Sequence, residues 1–84
     1  MSHLTFKNIG GKMCQGTGLY DRNAREIYTD DKVKLHTGHA VYDGVIKWDG
    51  YYARFKIDGP YPMALDGGTC CQVEVIGNLN EVKR

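Results

Sequence analysis

Hydrophobic residues recur at every second position over much of this chain, which is the period of a β-strand with one buried face. Val33 and Leu35 alternate with charged or polar neighbours after Asp31. Phe55 and Ile57 alternate in the same way with basic neighbours further along the chain. Hydrophobic spacing typical of a helix is scarce. The pattern therefore predicts a mainly β protein.

Turn residues divide this pattern into about five short strands. Thr37-Gly38 predicts a hairpin turn, and Asp49-Gly50 predicts a two-residue hairpin loop because both residue types tolerate positive φ. Strands are also predicted at about 4–7, at 40–48 with Gly44 as a bulge or bend, and at 70–76. Both prolines fall within 59–69, so this segment is predicted to be a loop.

Strands this short and this few cannot bury a face as a flat sheet, so we expect a small, strongly bent antiparallel sheet. An SH3-like barrel of about five strands is the favoured arrangement. The 84 residues are expected to form a single domain. It would comprise an N-terminal strand and glycine-rich lead-in at 1–13, the barrel at 14–78 and a loosely held tail at 79–84. Open strand edges would allow a homo-oligomer to form.

Composition excludes several classes of protein. With 42% hydrophobic and 25% charged residues, the chain is expected to be globular rather than disordered. A net charge of +1 argues against nucleic acid as the main partner, because phosphate binding usually requires a basic excess. The sequence has no long apolar run, so we expect no membrane association. Three cysteines without Cys-x-x-Cys spacing fit free thiols in a cytoplasmic protein.

The sequence contains no catalytic or metal-binding signature, and we therefore predict neither enzymatic activity nor a cofactor. A zinc site built from His36, His39 and Cys70 or Cys71 is the alternative, but adjacent cysteines on a strand point to opposite faces. Cys70 as a nucleophile would lack an orienting group. Cys71 is in phase with Val73 and is expected to lie in the core.

Two segments carry a family resemblance. Residues 15–33 read Gln-Gly-Thr-Gly-Leu-Tyr-Asp-Arg-Asn-Ala-Arg-Glu-Ile-Tyr-Thr-Asp-Asp-Lys-Val, and residues 74–78 read Glu-Val-Ile-Gly-Asn. They resemble the YopX family of phage and prophage proteins. The family usually has an aromatic residue at the position of Gly16 and glycines at those of Ala24 and Asp30. The resemblance implies a β domain made in the cytoplasm of a bacterial host, without established activity or transferable catalytic residues.

Two surfaces are candidates for binding. Apolar side chains in the proline-containing loop would either cap the barrel or contact a partner. Tyr52 is expected to be exposed, and beside Arg54 and Lys56 it would either form ordinary cross-strand pairs or stack on a planar ligand.

We therefore consider two functions. The first is a non-catalytic module that binds a host or phage protein through Tyr61, Met63, Leu65 and Tyr52. The second is binding of nucleic acid or nucleotides, including sequestration of a small molecule to counter the signalling of host defence, through Tyr52, Arg54, Lys56, Arg22 and Arg25.

Overall fold

The computed structural model describes residues 5–81, which are mainly β-structure without an α-helix. The predicted fold class is therefore confirmed. The position of Leu4 in the predicted first strand lies outside the described residues. The strands are β1 (Phe6–Ile9), β2 (Lys12–Tyr20), β3 (Glu26–Tyr28), β4 (Asp31–His36), β5 (Val41–Asp49), β6 (Arg54–Asp58), β7 (Met63–Ala64) and β8 (Val73–Asn78).

These strands form two antiparallel sheets. The first sheet has the order β1-β2-β3, and the second has the order β7-β6-β5-β4-β8. The two sheets pack in a barrel-like way, but they do not close into a barrel. The antiparallel arrangement is as expected, but there are eight strands instead of about five. The additional strands are β2, whose hydrophobic residues do not alternate regularly, and the very short β3 and β7.

The core lies on one face of the second sheet, which we call the inner face. Val33, Leu35, Ile46 and Ile57 are at most 1% exposed, as their alternation with polar residues predicts. Ile27 of β3 covers this face from the first sheet. Phe6 of β1, in contrast, is 55% exposed and does not belong to the core cluster. The second sheet thus supplies most of the buried surface.

The hairpin between β5 and β6 differs from the prediction. Asp49 pairs with Arg54, so the loop contains residues 50–53 and the predicted two-residue loop at Asp49-Gly50 is wrong. The Oδ1 atom of Asp49 accepts hydrogen bonds from the backbone N–H groups of Tyr51 and Tyr52, at 3.0 and 3.4 Å. Ala53 closes the loop with a φ of 52°. Side-chain capping by Asp49 therefore stabilises a longer loop than Gly50 suggested.

Gly44 is not a bulge, because the pairing of β4 with β5 is continuous from Lys32–Val45 to His36–Val41. A Cβ atom at Gly44 would lie 2.5 Å from Cγ2 of Ile57. The glycine therefore permits close packing between neighbouring strands.

The chain before β8 forms a 3₁₀ turn at Cys70–Gln72 instead of the predicted strand. Asp66 initiates this turn by accepting hydrogen bonds at its carbonyl oxygen from the N–H groups of Thr69 and Cys70. As a result, Cys71 is exposed and its predicted place in the core is wrong, whereas Cys70 packs against the core. The strand begins only at Val73.

Part of the predicted C-terminal tail is held in place. The N–H group of Leu79 donates to the carbonyl oxygen of Asp30 at 2.9 Å, and Nδ2 of Asn80 donates to the Asp30 carboxylate at 3.0 Å. Leu79 and Asn80 are therefore attached to Asp30, the residue that precedes β4. The remaining residues of that predicted tail, 82–84, lie outside the described residues.

Candidate functional site

Beyond the core, the inner face of the second sheet carries aromatic side chains that are partly exposed. Ile46 and Ile57 pair across β5 and β6 and are almost completely buried. The next pair on this face is Trp48 and Phe55, and Trp48 is 52% exposed. We define the aromatic tip as these last two residues and three residues around the loop, namely Trp48, Tyr51, Tyr52, Arg54 and Phe55.

Contacts within the aromatic tip order its side chains. The rings of Trp48 and Phe55 meet edge to face at 4.9 Å, and those of Tyr51 and Tyr52 do so at 4.7 Å. The guanidinium carbon of Arg54 lies 4.6 Å from the centre of the Tyr52 ring. Tyr51 and Tyr52 nevertheless remain 86% and 61% exposed. The tip is thus a preformed surface of exposed aromatic groups with a cation at its side.

The structure brings together only part of the residue set predicted for nucleic-acid binding. Tyr52 and Arg54 are in contact, and Lys56 follows Arg54 on the same side of β6. Lys56 pairs in register with Lys47 of β5. Arg54, Lys56 and Lys47 therefore place three basic residues on one side of the second sheet.

Arg22 and Arg25 lie elsewhere, in the turn between β2 and β3. The backbone N–H of Arg22 donates to the carbonyl oxygen of Val73, so this turn packs against β8. Because β8 is separated from β6 by β4 and β5, these two arginines do not extend the tip. A ligand that needs all five predicted residues would have to reach across the sheet.

The proline-containing loop mainly caps the core. Leu65 is 4% exposed, so we correct its prediction as a contact residue and assign it to the core. Met63 lies in β7 and is half-buried against the same cluster. Tyr61 stacks on Tyr42 with ring centres 4.9 Å apart, and it is 47% exposed. Of the three predicted loop contacts, Tyr61 remains the most accessible.

The alternative zinc ligands are placed in different surroundings. His36 lies on β4 with Nε2 2.9 Å from Oε1 of Glu74. His39 is exposed in the following turn, and Cys70 lies in the 3₁₀ turn. Within residues 5–81, no group of three or more histidine, cysteine, aspartate or glutamate side chains is arranged to hold a metal ion.

Asp30 joins three segments of the chain and was not predicted from the sequence. Its carboxylate accepts hydrogen bonds from Nζ of Lys47 at 2.9 Å, Nζ of Lys12 at 3.0 Å and Nδ2 of Asn80 at 3.0 Å. The bond from Lys47 is the main reason that the pKa of Asp30 lies well below its usual value. Since Lys12 belongs to β2 and Lys47 to β5, this carboxylate links the two sheets.

Asp21 connects the β2–β3 turn to β8. Its Oδ1 atom accepts hydrogen bonds from the N–H groups of Asn23 and Arg25, both at 2.9 Å. Its Oδ2 atom accepts one from the N–H of Val75 at 2.8 Å. One buried side chain thereby satisfies three backbone donors, including one on the outer edge of β8.

Asp31 is buried at the start of β4. Its carboxylate accepts hydrogen bonds from the N–H of Tyr28 and from Nδ2 of Asn78, both at 2.8 Å. Burial raises the pKa of Asp31 above its ordinary value. The side chain lines a cleft of about 530 Å³ between β3 and β8, together with Lys7 and Arg25. Charges of both signs line this cleft, and its buried carboxylate is already hydrogen-bonded within the protein.

Two residues that stand where the YopX pattern has glycine, Ala24 and Asp30, adopt a left-handed backbone conformation. Ala24 has a φ of 63° and Asp30 a φ of 66°, in the left-handed region that favours glycine. Both replace the usual family glycines. The missing glycines therefore mark positions of positive φ, and Asp30 uses one of them to place a carboxylate between two lysines.

Comparison with known proteins identifies one family. The family model described as YopX protein matches residues 2–82, which is nearly the whole chain. No curated protein matches the sequence. Among the described residues, no helix has the length and hydrophobicity needed to cross a membrane.

Proposed function

The chain belongs to the YopX protein family, and we propose that it is a phage- or prophage-encoded module that binds another protein and has no catalytic role. The observation that supports this proposal is the aromatic tip. Tyr51 and Tyr52 lie in contact and expose most of their surface in the hairpin loop, and Trp48 exposes about half of its surface at the end of the adjoining strand β5. Tryptophan, tyrosine and arginine are the residue types that contribute most to the energy of protein interfaces.

The organisation of the tip suits binding without rearrangement. Tyr51 and Tyr52 are supported by a loop that Asp49 caps, and Trp48 is supported by Phe55. Side chains that are ordered before binding lose less entropy when a partner is bound. The rest of the hairpin is anchored by the core pair Ile46 and Ile57. The tip therefore combines exposed apolar surface with a rigid base.

Nucleic-acid or nucleotide binding is the second candidate, because Arg54 stacks on Tyr52. The separation of Arg22 and Arg25 from the tip and the net charge of +1 make it the less favoured function. Oligo(dT) and duplex DNA should therefore cause little change in the fluorescence of Trp48 at low salt. A large change that disappears as salt rises would favour this second function.

The test of protein binding compares three proteins as baits in lysate of the bacterial strain that encodes the chain. They are the wild type, the Tyr51→Ser/Tyr52→Ser variant, and a Tyr20→Ser control that removes an exposed tyrosine of β2. We expect a protein that the wild type and the control retain and the double variant loses. That protein, once purified, should also change the fluorescence of Trp48, the single tryptophan of the chain. Retention by all three proteins alike, or no retention, would contradict the proposal.

A further inference from the structure

Arg54 is the cation of the aromatic tip that is best placed to select a partner. Its guanidinium carbon lies over the Tyr52 ring, 4.6 Å from the ring centre, while Arg54 itself is exposed. Stacking covers one face of the guanidinium, and its N–H donors lie in the plane of the group, around its edge. A carboxylate matches this edge with two parallel hydrogen bonds.

The other charges near the tip leave the basic groups available. Asp49 lies opposite Arg54 in the register, but its Oδ1 atom accepts the backbone N–H groups of the loop. Among residues 5–81, no ion pair within 4.0 Å joins Asp49 to Arg54. Lys47 donates to Asp30, whereas Lys56 lies near Arg54 on β6 and forms no ion pair within 4.0 Å with any acidic group of the described part of the chain.

The two sides of the hairpin therefore offer different chemistry. Trp48 and Phe55 lie on the inner face in the same row, and Arg54 and Lys56 belong to the opposite face of β6. Tyr52 is in contact with Arg54 and with Tyr51, so it joins the aromatic and the basic parts. A partner that binds at the loop would therefore meet the exposed rings of Tyr51 and Tyr52 next to the positive charge of Arg54.

We propose that the aromatic tip recognises an acidic segment of a partner protein, in which a carboxylate binds Arg54 and a neighbouring apolar side chain packs on Tyr51 and Tyr52. This inference rests on the proposed function and specifies the partner. A carboxylate is favoured over a phosphate backbone because Arg54 of the tip and the neighbouring Lys56 are only two cations, too few to neutralise a run of phosphates. One bidentate carboxylate needs only one arginine.

The experiment selects ligands from a displayed library of short random-sequence peptides, using the wild type as bait and removing peptides that also bind the Tyr51→Ser/Tyr52→Ser variant. We expect the remaining peptides to be enriched in aspartate or glutamate next to a leucine or an aromatic residue. Synthetic peptides from this set, chosen without tryptophan, are then titrated against Trp48 fluorescence. Each peptide is compared with a copy in which glutamine and asparagine replace the acidic residues.

Two arginine variants test the role of Arg54 with these peptides. We expect Arg54→Glu to weaken binding by about tenfold or more, because a hydrogen-bonded charge pair is replaced by repulsion. Arg22→Glu makes the same charge change in the distant turn and should alter binding less than about twofold. Far-UV circular dichroism should show the same fold for both variants, since both side chains are exposed.

The outcomes separate the two proposals. Tip-dependent peptides without acidic enrichment, or acidic peptides whose binding is unaffected by Arg54→Glu, would overturn the acidic-partner inference and leave protein binding in place. Selection of no tip-dependent peptide, together with no tip-dependent protein in the lysate experiment, would overturn both. Binding of oligo(dT) that depends on Arg54 and weakens steeply with salt would replace the acidic peptide by a nucleic acid.

Discussion

Replacement of Asp30 by asparagine should weaken the attachment between the two sheets while preserving the local backbone. Asparagine has nearly the same shape as aspartate, and like aspartate it tolerates the φ of 66° found at this position. It cannot, however, accept hydrogen bonds from both Lys12 and Lys47 as the ionised carboxylate does. The substitution therefore removes charge pairing without adding backbone strain.

The magnitude follows from the exposure of the partners. A hydrogen bond to a charged group contributes roughly 1.5–3 kcal/mol to stability, but exposed ion pairs contribute about 0.2–1 kcal/mol. The Asp30 side chain is 10% exposed, whereas those of Lys12 and Lys47 are 62% and 42% exposed. An intermediate value of about 1 kcal/mol for each lysine gives a loss of about 2 kcal/mol. This is a large part of the roughly 4–12 kcal/mol expected for a domain of this size.

The dependence on pH distinguishes charge pairing from packing. The pKa of Asp30 is lowered in the folded protein, so its contribution is present at neutral pH and is lost as the pH falls below the unfolded value of about 4. Urea unfolding followed by circular dichroism should show Asp30→Asn about 2 kcal/mol less stable than the wild type at pH 7. The difference should shrink progressively between about pH 4 and pH 2.

A matched control makes the same aspartate-to-asparagine substitution at an exposed position. Asp58 is exposed on β6, and Asp58→Asn should change the free energy of unfolding by less than about 0.5 kcal/mol at pH 7. A difference between Asp30→Asn and the wild type that is the same at pH 7 and at pH 2 would show that the substitution acts through packing. Equal stability of the two proteins at pH 7 would refute the role of Asp30 as a link between the sheets.

Three other substitutions test the packing and backbone of the scaffold by the midpoint of urea unfolding. Ala24→Gly should raise stability by about 0.5–1 kcal/mol, since relief of left-handed strain exceeds the entropy cost of glycine, and a lower midpoint would contradict this. Gly44→Ala should lower stability by about 1–3 kcal/mol because the new Cβ would collide with Ile57, and an unchanged midpoint would mean that β5 and β6 separate easily. Asp21→Ala should lower stability by about 2–4 kcal/mol, because three backbone N–H groups, among them that of Val75, lose their carboxylate acceptor. The protection of the Val75 amide against hydrogen exchange should also fall, and unchanged protection would contradict this role of Asp21.

Core residues could be predicted from the sequence where the alternation of hydrophobic and charged residues allows only one face of a strand to be buried. Alternation placed Val33, Leu35 and Ile57 correctly in the core, because a shift of one residue would bury lysine instead. Tyr52 is exposed as expected, but the reason is that it lies in the loop at 50–53, where strand alternation does not apply and Tyr51 is exposed as well. The hairpin loop was not predictable, since Gly50 suggested two residues while the side chain of Asp49 stabilises four.

The long-range polar contacts could not be inferred from one sequence. Asp30 meets lysines on two different strands, and Asp21 meets the backbone of Val75, which is 54 positions away. Nothing in the local pattern distinguishes these aspartates from ordinary turn residues. The aromatic tip was found only in part for the same reason. Trp48 was placed on the inner face correctly, but the sequence did not show that the core ends before this residue.

The loop of the β5–β6 hairpin is separate from the side chains that hold the fold together. Residues 50–53 are exposed and contribute no side chain to the buried cluster, while the carboxylates that fix the scaffold lie on other elements. Exchange of these four residues for a different sequence would thus alter the exposed surface of the hairpin end with little cost to folding. The hairpin end is a natural grafting position, where new specificities can be installed on an unchanged support.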